Sequence, residues 1–291
     1  MCKTCTVTVR QGRGPARRRY RQMLHYGGNL RLTHWFQHLR QTFENMKYEQ
    51  SVILITGAAR RIGAQIAREL HAQGARVALH CNTSTQEAQA LVEELNALRS
   101  DSARVFQAAL QNLDELGPLA VNAHAAWGRL DALVNNASSY FSTPLGSLSA
   151  EQFEDLIASN LRAPLFLAQA CAPLLSDGGS IVNILDVHAR KPMSGFSAYL
   201  AAKGGLWTVT EALAVELAPR LRVNGVAPGH MLWADTPQFE PDKLAAEVEK
   251  IPLKRLGGER EVAHAVKFLL SPEAEYLNGA ILPVDGGLRL A

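Results

Sequence analysis

Long apolar runs are missing from this 291-residue chain. The longest greasy stretch, Ala163 to Leu175, is broken by Gln169 and two prolines and falls short of the roughly 18 uninterrupted apolar residues that a membrane span needs. Cysteine is scarce as well, with four in the chain. Cys81 and Cys171 fall inside apolar-periodic segments, where a free thiol is a small buried hydrophobe, so a reducing cytosol is the expected compartment. A field of one sign is absent from most of the molecule: the net +3 conceals nine Lys or Arg against Glu44 alone in residues 1 to 45, which leaves the remainder near −5. The basic character belongs to that segment, so it gives no argument for nucleic-acid binding by the main body.

What is present suits one large core: 47% of residues are apolar and 20% charged. Residues 1 to 45 hold Arg17-Arg18-Arg19, Gly27-Gly28 and no sustained period beyond a short helical pattern at Leu32 to Phe43, and read as an N-terminal extension. Met46 leads through Lys47-Tyr48-Glu49-Gln50 into the β-branched run Ser51 to Ile55, so the domain is expected over 46 to 291. A start codon set too early, a disordered tail and a basic targeting segment all remain open for the extension. Cys2 and Cys5 have metal-ligand spacing, but 28 residues separate Cys5 from His34, the nearer of His34 and His38, with no finger core between. No metal is expected.

From residue 51 strand and helix patterns take turns. Buried strands are predicted at 51–56, 75–80, 103–108, 131–134, 180–185, 221–226 and 280–284, with helices over Ile62 to Gln73, Thr85 to Leu98, Leu113 to Trp127, Ala150 to Leu175, Ala198 to Leu217 and Glu259 to Leu270. Continuous apolar strands alternating with helices imply a parallel seven-stranded sheet covered on both faces. Right-handed crossovers then give a single doubly wound, Rossmann-type α/β domain.

The first strand runs into Thr56-Gly57-Ala58-Ala59-Arg60-Arg61-Ile62-Gly63 and then a helix, the context of a nucleotide-phosphate loop. Gly57 permits a tight turn, Gly63 permits close helix–strand packing, and the helix amino terminus offers N–H groups to a pyrophosphate. Arg61 stands where a middle glycine is usual. The second strand ends Leu79-His80-Cys81-Asn82-Thr83-Ser84 without the carboxylate that would bond a ribose 2′-OH. Arg60, Asn82, Thr83 and Ser84 can instead meet a 2′-phosphate, which favours NADPH; Ser84 or Thr83 as a simple helix cap is the alternative.

Tyr199 and Lys203 lie four residues apart on one helical face, where the ammonium is expected to lower the phenol pKa toward a range useful for proton transfer. The pair opens a helix after the strand at 180–185, at the carboxyl edge where doubly wound folds bind ligands, and Asp186 closes that strand. Asp186 can take part in proton transfer or merely cap a local turn.

With Asn135-Asn136-Ala137 after the fourth strand, Asn160 in the next helix, Pro228-Gly229 after the sixth strand and Val284-Asp285-Gly286-Gly287 near the end, residues 51 to 291 resemble the short-chain dehydrogenase/reductase family. The resemblance implies that Tyr199 donates a proton, Lys203 tunes it and holds the nicotinamide ribose, Asn160 keeps a relay water, and Asn136, Ala137, Pro228 and Gly229 border the cofactor. Most members carry serine where Asp186 stands. A carboxylate beside Tyr199 suits delivery of a proton to a ring nitrogen, as reduction of a C=N bond requires.

The run from Asn135 through Ser138, Ser139, Tyr140 and Phe141 to Leu145, together with Arg61 and Leu79-His80, resembles the pteridine reductase branch. That likeness implies a stacking role for Tyr140 against a flat pterin, ligand or cofactor contacts for Ser138 and Arg61, a place for His80 by the cofactor, and a substrate lid near 232–251 in which Trp233 lines the pocket. Ala109 and Met231 depart from the pattern at the adenine and phosphate positions. The expected substrate is an oxidised or dihydro pterin or folate, taken to the tetrahydro form. A ketone or 3-oxoacyl-carrier reductase is the alternative, and an inactive NADPH-binding scaffold the alternative of another class. The long helices at 150–175 and 198–217, with Ala212-Leu213-Ala214, are expected to build a homotetramer.

Overall fold

The structure, a computed structural model, describes residues 48–231 and 241–291. The expectations for residues 1–45, for Met46 and for Trp233 lie outside the described residues.

Seven parallel strands form one sheet in the order β3-β2-β1-β4-β5-β6-β7. They are β1 (Val52–Ile55), β2 (Arg76–Cys81), β3 (Ala103–Gln107), β4 (Leu130–Asn135), β5 (Leu175–Ile184), β6 (Arg222–Pro228) and β7 (Ile281–Val284). The helices are α1 (Arg61–Ala72), α2 (Thr85–Leu98), α3 (Leu116–Ala125), α4 (Ala150–Ile157), α5 (Ala163–Cys171), α6 (Ser197–Glu216), α7 (Pro241–Glu249) and α8 (Glu259–Leu270). Period-two side-chain alternation sorts the strand residues onto two cores. Ile53 and Ile55 join Ile66 and Leu70 of α1, Leu91 and Leu95 of α2, and Val262 and Val266 of α8. Val52 and Leu54 face the other way, onto Leu116 and Leu119 of α3, Leu167 of α5 and Leu213 of α6. With both faces covered, the strands can be apolar throughout, which is why their sequences show no polar alternation. The crossover direction reverses between β1 and β4, so a crevice opens at their carboxyl ends.

Three details differ from the sequence reading. The helix predicted over 150–175 is interrupted by a π-helical turn at Ala158–Arg162, in which the Ala163 N–H bonds Ala158 O five residues back. Strand β5 begins at Leu175, earlier than expected, because Leu175 pairs with Leu130 before a register shift at Leu130/Ala132. In α6, Leu213 and Ala214 are buried in the core, 9% and 3% exposed. Within the Ala212-Leu213-Ala214 run, Leu213 and Ala214 therefore pack inward while Ala212 is exposed. The exposed large apolar residues of α4, α5 and α6 are Phe153, Phe166 and Val215. Among the described residues no helix is long and apolar enough to cross a membrane.

Candidate active site

The loop after β1 is built by backbone approach. Gly57 sits at φ +60°, and a Cβ there would lie 2.9 Å from Ala137 Cα. A Cβ on Gly63 would lie 2.2 Å from Gly57 O, so only glycine lets α1 dock this close. Arg61, in place of the middle glycine, keeps a glycine-like left-handed backbone at φ +50°. Helix α1 has no acidic residue in its first turn and no side-chain bond at its N-cap, Arg60. Its positive end thus faces the crevice without an internal anion, which fits a bound pyrophosphate.

His80 is buried, and its ring serves the loop: Nδ1 accepts from the Gly57 N–H (3.2 Å) and Nε2 meets Ala108 O (3.0 Å). That pairing requires the proton on Nε2. Burial also pushes its pKa down, so the ring is neutral. Asn136 ties β4 to the same loop through Nδ2 bonds to Thr56 O (2.9 Å) and Gly57 O (3.1 Å). Thr56 Oγ1 accepts from the Asn136 and Ala137 N–H groups at 2.9 and 3.0 Å.

Asn82 and Thr83 are exposed beyond β2, and Ser84 is the N-cap of α2 without a capping side-chain bond. The hydroxyl is not spent on the helix, and no carboxylate stands among the three. Arg60 lies 3.6 Å from Glu87 in the first turn of α2. At the end of β3, where Ala109 departs from the family pattern, the carboxylate of Glu115 accepts from the Ala109 N–H at 2.6 Å. Met231 packs against Gly257, where an added Cβ would meet its Sδ at 2.5 Å. Gly229 N–H bonds Val284 O (2.9 Å), and Asp285 accepts from the N–H groups of Gly287 and Arg289. The last motif therefore braces the loop after β6.

The chemical groups converge after β5. Tyr199 Oη donates to Asp186 Oδ2 at 2.9 Å, and Asp186 Oδ1 accepts from the His188 N–H at 2.8 Å. Asp186 thus both caps the 3₁₀ turn Val187–Ala189 and bonds the tyrosine, one function per oxygen. Burial, then the Asp186 charge, push the Tyr199 phenol well above its ordinary value, while the Ser138 hydroxyl opposes the rise. This direction is opposite to the lowering expected from Lys203: as folded, Tyr199 is a protonated phenol. Lys203 Nζ donates to Ile184 O (2.9 Å) and lies 5.9 Å from the Tyr199 ring. Burial pushes Lys203 down to about 8, with Asp186 resisting the shift.

Asn160 occupies the π turn, fully buried. Its Nδ2 bonds Ser139 O (2.9 Å) and Leu156 O (3.1 Å), while Oδ1 accepts from Ser138 Oγ (2.6 Å). The turn thereby fixes the loop that carries Ser138 and Tyr140. Tyr140 is 57% exposed, stacked on Phe196 at 5.0 Å and 17°, and edge-on to Tyr199 at 4.9 Å. An aromatic wall thus stands beside the Tyr199 hydroxyl.

Sequence reasoning missed a buried polar chain behind this wall. Asn135 Nδ2 donates to Asn183 Oδ1 (2.9 Å), Asn183 Nδ2 to Thr210 Oγ1 (2.9 Å) and Thr210 to Leu206 O (2.7 Å). The signal was available, since Asn135 and Asn183 are amides inside otherwise apolar strands. His188 and Phe196 were also missed; their sequence neighbourhoods carry no pattern. Among the described residues no group of three or more His, Cys, Asp or Glu is set to hold a metal ion.

Residues 57–289 match the family described as Enoyl-(Acyl carrier protein) reductase. The chain belongs to the short-chain dehydrogenase/reductase family. Pteridine reductase 1 of Leishmania tarentolae is 37% identical, over 82% of this chain and 96% of that protein. The 3-oxoacyl-[acyl-carrier-protein] reductase FabG of Staphylococcus aureus (strain N315) is 34% identical over 84% and 100%, and an uncharacterized oxidoreductase of Mycobacterium tuberculosis is 36% identical over 83% and 93%. As a member of that family, the chain is an oxidoreductase.

Proposed function

We propose that this oxidoreductase reduces pteridines with NADPH, taking dihydrobiopterin, dihydromonapterin or dihydrofolate to the tetrahydro form. The bond between Tyr199 Oη and Asp186 Oδ2 carries this reading. A serine partner would steady a carbonyl oxygen, whereas a carboxylate keeps the tyrosine protonated and can pass a proton onward to a ring nitrogen. The exposed face of Tyr140 beside Tyr199 suits a flat heterocycle.

NADPH, when bound, supplies a hydride to the carbon of the C=N bond. The Tyr199 phenol gives its proton to the adjacent nitrogen, the Lys203 ammonium favours the phenolate left behind, and Asp186 is the group through which Tyr199 regains a proton from solvent. Gly57, Arg61, Ile62 and Gly63 are assigned to the pyrophosphate and Asn82, Thr83, Ser84 and Arg60 to the 2′-phosphate, because no carboxylate stands at the end of β2. Asn136, Ala137, Ser138, Pro228 and Gly229 are assigned to the rim of the nicotinamide site, Asn160 to the relay water, and Arg61, Ser138 and Trp233 to the pterin, with residues 232–251 as its lid. The assembly proposed is a cytosolic homotetramer built through α4, α5 and α6, checked by light scattering.

The test is NADPH oxidation by the purified protein with dihydrobiopterin or dihydrofolate, with NADH and a simple ketone as controls. Pterin turnover with NADPH alone supports substrate and cofactor together. Turnover of acetoacetyl thioester without pterin activity would establish the second reading, a 3-oxoacyl-carrier reductase, which the likeness to the Staphylococcus aureus enzyme favours.

A further inference from the structure

We propose that His188 is a positioning residue for the proton-delivering pair: its imidazole clamps Asp186 so that one carboxylate oxygen is kept for Tyr199. The inference rests on the reading of Tyr199 and Asp186 as that pair, not on which substrate they serve. His188 Nδ1 lies 2.8 Å from Asp186 Oδ1, the same oxygen that accepts the His188 backbone N–H at 2.8 Å. Oδ2 meets Tyr199 Oη at 2.9 Å. An ionised carboxylate accepts only, so Nδ1 carries the proton, and three donors converge on Asp186.

The backbone bond alone comes from two residues away and leaves the carboxylate free to turn about its terminal torsion, which is broad for aspartate. A second donor on the same oxygen removes that freedom. The ring is itself held: His188 is 8% exposed and stacks on His230 at 5.1 Å and 20°. His230 Nδ1 stands 3.6 Å from Glu247 Oε2 of α7. Burial, then the neighbouring His188, push the His230 pKa down, so the stack presents a neutral ring to His188. A buried imidazole fixed on one face by a neutral ring and at one nitrogen by the carboxylate has the build of an orienting group.

Three variants separate orientation from bulk packing. The Asn in His188→Asn places an amide N–H where Nδ1–H stood, the Gln in His188→Gln places its amide where Nε2 stood, and His188→Leu fills space without a donor. We expect His188→Leu and His188→Gln to lose about tenfold in kcat, the worth of one charge-assisted hydrogen bond. The KM for NADPH should be unchanged, and His188→Asn should recover most of the loss. Equal kcat in the Leu and Asn variants overturns the proposal. A wild type inactive on pterins but active on acetoacetyl thioester would sink the substrate reading alone, and the same series is then run on the thioester. A further readout needs no turnover: besides the His80 Nε2–H signal, a downfield imidazole N–H proton resonance assigned to His188 by its loss in His188→Leu is expected in the wild type and should disappear in Asp186→Leu as well. Absence of that resonance from the wild type, or its persistence in Asp186→Leu, overturns the clamp whatever the substrate.

Discussion

The loops after β1 and after β5 lie at the same edge of the sheet and are held by opposite means. The first is shaped by what its residues lack: Gly57 and Gly63 leave room for backbone to touch backbone, and the groups that brace it, His80 and Asn136, bond main-chain atoms. The second is shaped by side-chain donors and acceptors, with Tyr199, Asp186 and His188 satisfying one another. A loop defined by shape tolerates a changed exposed side chain and rejects an added methyl. A loop defined by hydrogen bonds tolerates neither a lost donor nor a lost acceptor.

The comparison can be broken from either side. On the second loop, Tyr199→Phe keeps the ring and removes the proton; steady-state turnover should fall about 10²- to 10⁴-fold with NADPH binding retained. On the first loop, Gly63→Ala adds a methyl 2.2 Å from Gly57 O, and urea unfolding should show a loss of about 3 kcal/mol with weaker NADPH binding. Behind both loops, Asn183→Leu strands Asn135 Nδ2 and Thr210 Oγ1 without a shared partner. The same unfolding assay should report a loss of about 1–3 kcal/mol.

A pH profile probes the second loop without a substitution. Burial favours the neutral amine of Lys203, so its ammonium is present below about 8 and lost as pH rises through that value. The expected kcat/KM therefore falls on the alkaline side, about tenfold per unit, well before an ordinary lysine would titrate. The smallest effect belongs to Arg61→Gly. The backbone already stands at φ +50°, so relief of strain and the extra freedom of glycine when unfolded nearly cancel; the unfolding free energy should move by under about 1 kcal/mol.

The first loop was legible in the sequence and much of the second was not, for the same physical reason. Glycines between a β-branched run and an amphipathic helix are a local signal, as are Tyr199 and Lys203 at helical spacing, and seven apolar runs fix a parallel sheet because buried strands need no polar face. His188 finds Asp186 through a 3₁₀ turn and His230 through a loop after β6, and no period encodes either meeting. The pairing of Asn183 with Thr210 depends on packing α6 against β5. The direction of the Tyr199 shift was misread because spacing shows the Lys203 charge but not how deeply both groups are buried.

The π turn at Ala158–Arg162 constrains how this chain can change length. One surplus residue rotates everything after it by about 100° relative to an uninterrupted α-helix. Leu167, Ala168 and Cys171 reach the core from the rotated side, and Asn160 reaches Ser139 from inside the turn. Converting the turn to regular α-helix with all its residues kept would swing the apolar stripe of α5 off the sheet, whereas deleting one residue between Ala158 and Arg162 would leave that stripe in place and cost the inward reach of Asn160 to Ser139. A one-residue shortening is therefore expected to be tolerated by the core inside that turn and nowhere else along the helix, at the cost of the bonds by which Asn160 holds Ser138 and Ser139.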